Sequence, residues 1–201
     1  EGNVTIRNIV VDENSKITGL ARVGGIVGYI GGPDKGNDFH GTVNIESCKF
    51  AGEVETVFNV DKQGDYATAG GMVGFITRSS KDGATTLNIK DCEFTGTIGG
   101  YYTSGMVADT GCPLTINITN CTSKGTQKDN PYNAFKNNTT QPNACGIFIG
   151  DLQKATLNVD AASVEKSFEG MTDKIANTKV VGWFRSTAGK VSIAESSLTK
   201  A

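Results

Sequence analysis

The chain has 201 residues, 19 basic and 21 acidic side chains spread along it, a net charge of −2 and a pI near 5.5. With no Lys/Arg block, that balance speaks against a nucleic-acid or acidic-membrane binder, and no apolar run approaches the ~18 residues of a membrane span. One histidine and five cysteines without a CxxC pair leave almost no material for a zinc site, while 26 glycines against 4 prolines describe an ordered chain of many tight turns.

The N-terminus, EGNVTIRNIV, has neither the basic start nor the apolar stretch of a signal peptide, and no initiator Met. It reads as a processed piece of a longer protein. VTIRNIVV (4–11) is a strand-like unit, and the glycine-flanked octet VGGIVGYI follows at 23–30. The polar GGPDKGNDFHG (31–41) then holds the only histidine, His40, near Asp34 and Asp38. A glycine-rich excursion loop is the simpler reading and a metal site the alternative. VNIESCKFAGEV (43–54) repeats the strand unit, and AGGMVGFI (69–76) repeats the octet 46 residues after its first appearance.

The pair recurs as LNIKDCEFTGTI (87–98) and SGMVAD (104–109), then as INITNCTSKGT (116–126) and CGIFIG (145–150). Tyr101–Tyr102 precedes the third octet, and Tyr132 and Phe135 lie in the long polar loop KDNPYNAFKNNTTQPN (128–143). These aromatics either cover a flank or offer faces to sugars and proteins. LNVDAASV (157–164) is a fainter fifth strand copy. In VEKSFEGMTDKI (164–175), Val164, Phe168, Met171 and Ile175 have helical spacing, which predicts a short packed helix. VGWFRS (181–186) and VSIAESSL (191–198) complete six copies.

Each copy shares one parity. Val43 and Ile45 alternate as a half-buried strand, but the next apolar positions, Cys48 and Phe50, fall three and five residues beyond Ile45. That one-residue slip marks a corner, whose second residue is Asn8, Ser47, Asp91, Asn120, Ala161 and Glu195 in turn. Stacking the copies forms three ladders: Ile6, Ile45, Ile89, Ile118, Val159, Ile193; Ile9, Cys48, Cys92, Cys121, Ala162, Ser196; and Val11, Phe50, Phe94, Ser123, Val164, Leu198. The intervals along the first are 39, 44, 29, 41 and 34 residues, as loops of unequal length between fixed strands would give. The octets supply a third side. Gly25, Gly71, Gly105, Gly146 and Gly182 align there, implying either a positive φ or a close main-chain approach. No GxGxxG spacing occurs in the octet, so a dinucleotide-binding loop is rejected.

GGIVGYI and GGMVGFI, alternating with short NI-x-x-C-x-F strands, resemble the GLUG-motif repeats of bacterial surface proteins, which occur in large adhesins and in non-catalytic regions of secreted immunoglobulin A-cleaving metallopeptidases. The resemblance covers nearly the whole chain and weakens in the last three copies. It implies an extracellular repeat module and carries over no catalytic residue.

The Cys48, Cys92, Cys121 ladder reads as stacked buried thiols acting as small hydrophobes, while Cys112 and Cys145 lie outside it and could pair if loops bring them together. The five Asn-x-Ser/Thr sequons, at Asn3, Asn117, Asn120, Asn137 and Asn138, are chance in a chain rich in Asn and Thr, or glycosylation sites in a eukaryotic secretory route. Two outward rows follow the ladders. Arg7, Glu46, Lys90, Thr119, Asp160 and Ala194 offer no carboxylate cluster, and Asn44, Asn88, Asn117 and Asn158 read as amide pairing between copies.

The expected fold is all-β: one right-handed parallel β-helix domain, residues 1–201, of about six coils with variable loops. The expected function is a non-catalytic module of a secreted or cell-surface bacterial protein, spacer or adhesin-like, meeting host protein or glycan through its loops. The alternative is a polysaccharide-acting β-helix lyase or hydrolase, or its carbohydrate-binding part. No catalytic, cofactor-binding or metal residue is assigned.

Overall fold

The structure is a computed structural model and describes residues 2–31, 40–57, 67–76, 85–128, 144–169, 180–184 and 189–194. It is mostly strand, arranged in five sheets in which every pairing is parallel. A six-stranded sheet stacks Gly2–Arg7, Gly41–Glu46, Thr85–Lys90, Thr115–Thr119, Thr156–Val159 and Lys190–Ile193. A four-stranded sheet joins Val10–Val11, Lys49–Phe50, Glu93–Phe94 and Thr122–Ser123, and another joins Lys16–Gly19, Glu53–Thr56, Thr97–Gly99 and Thr126–Gln127. The octets divide between a sheet of Val23–Gly24, Thr68–Gly70, Tyr102–Ser104 and Ala144–Gly146 and a five-stranded sheet of Val27–Ile30, Val73–Ile76, Val107–Thr110, Ile149–Leu152 and Val181–Phe184. Within each sheet the strands follow chain order. No helix among the described residues is long and apolar enough to cross a membrane.

The isoleucine ladder is in register throughout, from Ile6 to Ile193. Its central members Ile45, Ile89 and Ile118 are buried, as are Cys48, Cys92 and Cys121 one corner later. The corner residues explain the parity slip: Asn8, Ser47, Asp91 and Asn120 have φ of 60°, 52°, 53° and 55°. This left-handed region crowds Cβ against the following carbonyl, and short polar residues tolerate it best. Glu195 lies outside the described residues.

The fifth copy leaves the pattern. Instead of a second strand through Ala162 and Val164, helix α1 spans Ala161–Phe168, starting and ending earlier than the apolar spacing predicts. The Asp160 carboxylate accepts the Ser163 N–H at 2.9 Å, an N-cap that sets the start. Met171 and Ile175 lie outside the described residues. Helix α1 closes the edge of strand Thr122–Ser123. The N–H groups of Asn120, Cys121 and Ser123 donate to Asp160 Oδ2 (3.0 Å), Ser163 Oγ (2.8 Å) and Ser167 Oγ (2.9 Å). Ser163 and Ser167, four apart, advance about 6 Å along a helix, close to the roughly 6.6 Å between alternate strand residues. A helix face can therefore satisfy the donors of a strand edge. The ladder places expected of Ala162 and Val164 belong to Ser163 and Ser167.

The octet alignment also needs correction in its last two copies. Gly146 stands in the column of Gly24, Gly70 and Ser104, one residue from the expected column. Val181 continues the column of Val27, Val73, Val107 and Ile149, which puts Gly182 beside Gly150. Close approach, not positive φ, explains the octet glycines, since the positive-φ glycines among the described residues are Gly31 and Gly41. A Cβ on Gly71 would run into the Phe94 ring and the Gly105 carbonyl oxygen. Phe50 and Phe94 stack at 6.0 Å and fill the interior opposite these glycines. Ser123 ends the phenylalanine column, and there Ile147 takes the place of the second octet glycine. Large and small residues trade across the interior to hold its volume.

Candidate functional site

The outer face of the six-stranded sheet is built from the residues between the ladder positions. Thr42, Thr86, Thr115 and Thr156 form one in-register row, and Asn44, Asn88, Asn117 and Asn158 form the next. The asparagines pair as their row predicts. Asn88 Nδ2 donates to Asn44 Oδ1, Asn117 to Asn88 and Asn158 to Asn117, each at 2.8 Å, and Asn44 reaches Thr5 Oγ1 at 3.4 Å. All four amides are thereby held at fixed orientation on a half-buried surface. The neighbouring row keeps Arg7, Glu46, Lys90 and Thr119 in register, without two adjacent carboxylates.

A second polar cluster crosses the sheet that contains Lys16–Gly19. Glu53 and Glu55 lie between Lys16 and Lys128; Lys16 Nζ is 2.7 Å from Glu53 and 3.2 Å from Glu55, and Lys128 contacts both acids. Gly99 leaves the Lys128 stem room to pass Glu55. The ammonium groups of Lys128 and Lys16 hold the Glu53 carboxyl down at about 2, and Glu53 and Glu55 in turn push Lys16 up.

One acid pair escapes the linear reading. Asp109 and Asp151 are register partners in the five-stranded sheet, in the column of Tyr29 and Phe75. The one-residue error in aligning CGIFIG with SGMVAD sets Asp109 against Gly150 and hides the pair; matching Ile149 to Val107 uncovers it. In-register strands lie about 4.8 Å apart, near the roughly 5–5.5 Å separation of carboxyl groups in a retaining glycosidase. Yet Asp109 is 2% exposed and Asp151 0%. A polymer has no route to groups closed off this far, so the spacing alone does not make a catalytic site. Beside them Tyr29 and Phe75 stack at 5.7 Å, with the Arg22 guanidinium 4.3 Å from the Phe75 centroid.

The cysteine ladder has the geometry of a stacked core. The N–H of Cys48 donates to Cys92 Sγ at 3.5 Å, that of Cys92 to Cys121 Sγ at 3.4 Å, and each thiol meets a carbonyl two residues back. Burial pushes the Cys48 thiol up; the hydrogen bond with Cys92, then burial, push up that of Cys121. All five cysteines are free, Cys112 and Cys145 included; Gln127 Nε2 sits 2.6 Å from Cys145 Sγ. Tyr101 and Tyr102 are buried and stack edge to face at 4.7 Å, so they cover the flank. Tyr132, Phe135, Asp34 and Asp38 lie outside the described residues, and His40 is half-buried beside them in sequence. Among the described residues no three His, Cys, Asp or Glu side chains group as metal ligands would. Comparison with protein-family models, curated proteins and solved structures gives no match. The GLUG-type resemblance therefore stands on the octets and strand copies alone.

Proposed function

We propose that the chain is a right-handed parallel β-helix of six rungs, a GLUG-type repeat module from a secreted or cell-surface bacterial protein. It acts without catalysis, as a rigid spacer whose inter-rung loops meet host protein or glycan. The observation that carries this reading is the amide row. Four asparagines on four successive rungs are tied to one another at 2.8 Å, which uses their polar atoms to brace the stack instead of presenting them to a substrate. Rigid rungs with loops of unequal length suit display, because binding can vary in the loops while the scaffold keeps its shape.

The register pairing of Asp109 with Asp151 favours one rival, a polysaccharide-acting enzyme. A panel of acidic and neutral polysaccharides, assayed for new reducing ends and for unsaturated lyase products, separates the two. The spacer reading expects no turnover of any polymer, and expects glycan-array signals to respond to changes in the loops. Turnover that Asp109→Asn abolishes in a folded chain would replace it with the enzyme.

A further inference from the structure

Two inward columns turn polar at the same place. Ile17, Val54 and Ile98 share a column whose fourth member is Gln127. Val23 and Ala69 share another, and its third and fourth members are Thr103 and Cys145. Val23, Val54, Ala69 and Ile98 fill these columns as buried apolar side chains. Exposure accounts for the change at Gln127 but not at Thr103, which is 3% exposed. A repeat that breaks its own pattern inside the core marks a site. The three polar side chains meet there: Gln127 Nε2 lies 3.2 Å from Thr103 Oγ1 and 2.6 Å from Cys145 Sγ. The second distance is not that of a hydrogen bond to sulfur. In the cysteine ladder the N–H to Sγ contacts measure 3.5 and 3.4 Å, so at Cys145 the sulfur is pressed onto the amide while Thr103 holds it from the other side.

We propose that Cys145 and Gln127 form an internal thioester, an acyl group held for transfer to a primary amine. Cys145 Sγ bonds Gln127 Cδ as the Cδ–Nε2 bond breaks, and the thiol proton departs with the nitrogen as ammonia. No oxidant is required, because the carbon stays an acyl carbon throughout. A thiol and a carboxamide held in contact react as parts of one molecule, the advantage that preset geometry gives a difficult step. In the second step an amine nitrogen bonds Cδ, the Cδ–Sγ bond breaks, and the amine's proton restores the Cys145 thiol. A substituted amide is left on Gln127. Gln127 is exposed and Cys145 half-buried, so an acceptor reaches the bond from outside. Lys128, the nearest amine in sequence, is engaged by Glu53 and Glu55. The acceptor that fits is the lysine side chain of a facing protein. That use rests on the display function proposed above; the bond itself does not.

The test is the intact mass of the purified 201-residue chain at mildly acidic pH. It should fall short of the sequence mass by one ammonia, with one fewer reactive thiol after denaturation than the five cysteines supply. Methylamine, the probe for transfer, should add once, map to Gln127 and restore the missing thiol. Cys145→Ala and Gln127→Ala should keep their full sequence masses and take up no methylamine. If either variant does not fold, the mass and thiol count of the unaltered chain decide the matter. A thioester lost to water during purification would still show, as Gln127 deamidated in the unaltered chain and intact in Cys145→Ala. Full mass with five reactive thiols and an intact Gln127, or methylamine uptake that persists in Cys145→Ala, would each overturn the proposal. An N-terminally blocked peptide with one lysine should be captured covalently and its Lys-to-Arg counterpart should not; capture of neither would overturn the acceptor. None of these measurements involves a polysaccharide or a glycan array, so failure here and failure of the spacer function are separate results.

Discussion

Asn117 is the member of the amide row whose removal reports most directly on how the stack is held. It donates to Asn88 and accepts from Asn158, both at 2.8 Å, so Asn117→Ala deletes two hydrogen bonds in one step. At a net value of about 1 kcal/mol each the loss is near 2 kcal/mol. The row is half-buried, and water can reach part of the vacated space, which trims the expectation to about 1.5 kcal/mol. Asn158→Ala removes only the bond donated to Asn117 and should cost about half as much. Urea unfolding is the assay. With a slope of about 2–3 kcal/mol/M, Asn117→Ala moves the midpoint by roughly 0.5–0.7 M and Asn158→Ala by about half that, at unchanged slope. A double substitution of Asn88 and Asn117 should cost less than the sum of the two singles, because both remove their shared bond. Equal shifts for Asn117→Ala and Asn158→Ala, or no shift for either, would refute the idea that the row is a load shared between neighbours.

Gly71→Ala puts a methyl group against the Phe94 ring and the Gly105 carbonyl oxygen inside a closed core, and should cost about 3 kcal/mol in denaturant unfolding. Phe94→Leu in the same chain should recover part of that loss, seen as a double-mutant coupling. Asp160→Ala removes both the helix cap and the acceptor of the Asn120 N–H; about 2 kcal/mol is expected, with faster hydrogen exchange at Asn120, Cys121 and Ser123, and Asp160→Asn should keep most of the cap. Glu53 sets a pH dependence. Its folded value of about 2 lies below the ordinary 4.5, so its contribution is full above about pH 4.5 and drains away as pH falls towards 2. Its side chain is 26% exposed and screened, which keeps the term below about 1 kcal/mol. Glu53→Gln or high salt should flatten that part of the acid unfolding curve, and an unchanged curve would remove the network from the stability argument.

Much of the fold was legible because the copies carry the same information several times. Ile45 alone says only that a strand has an inward face; Ile45, Ile89 and Ile118 with the same slip to Cys48, Cys92 and Cys121 give register and corner together. The amide row followed from the same parity. The octet end was less legible, since its punctuation is glycine and glycine satisfies more than one neighbouring column. Gly24, Gly70 and Gly146 avoid the carbonyl three residues ahead, whereas Gly25 and Gly71 avoid a phenylalanine ring. A pattern that counts glycines merges the two columns. The Asp109–Asp151 register pair was lost with that merger. Tyr101 and Tyr102 had no periodic context from which their burial could be read.

Sequence by itself determined which residues face inward along the strand copies, where the first four copies turn, and that equivalent side chains stack, because alternation and corner chemistry are local and were written repeatedly. Tertiary structure alone decided where the repeat gives way to a helix and what is closed to solvent. Ser163 and Ser167 look like any pair of small polar residues until Cys121 and Ser123 are set beside them with N–H groups to satisfy. Val4 is 44% exposed where Val43, one copy on in the same column, is 4%. Burial belongs to a residue's neighbours in space, and where helix α1 replaces a strand those neighbours are not the ones the repeat describes.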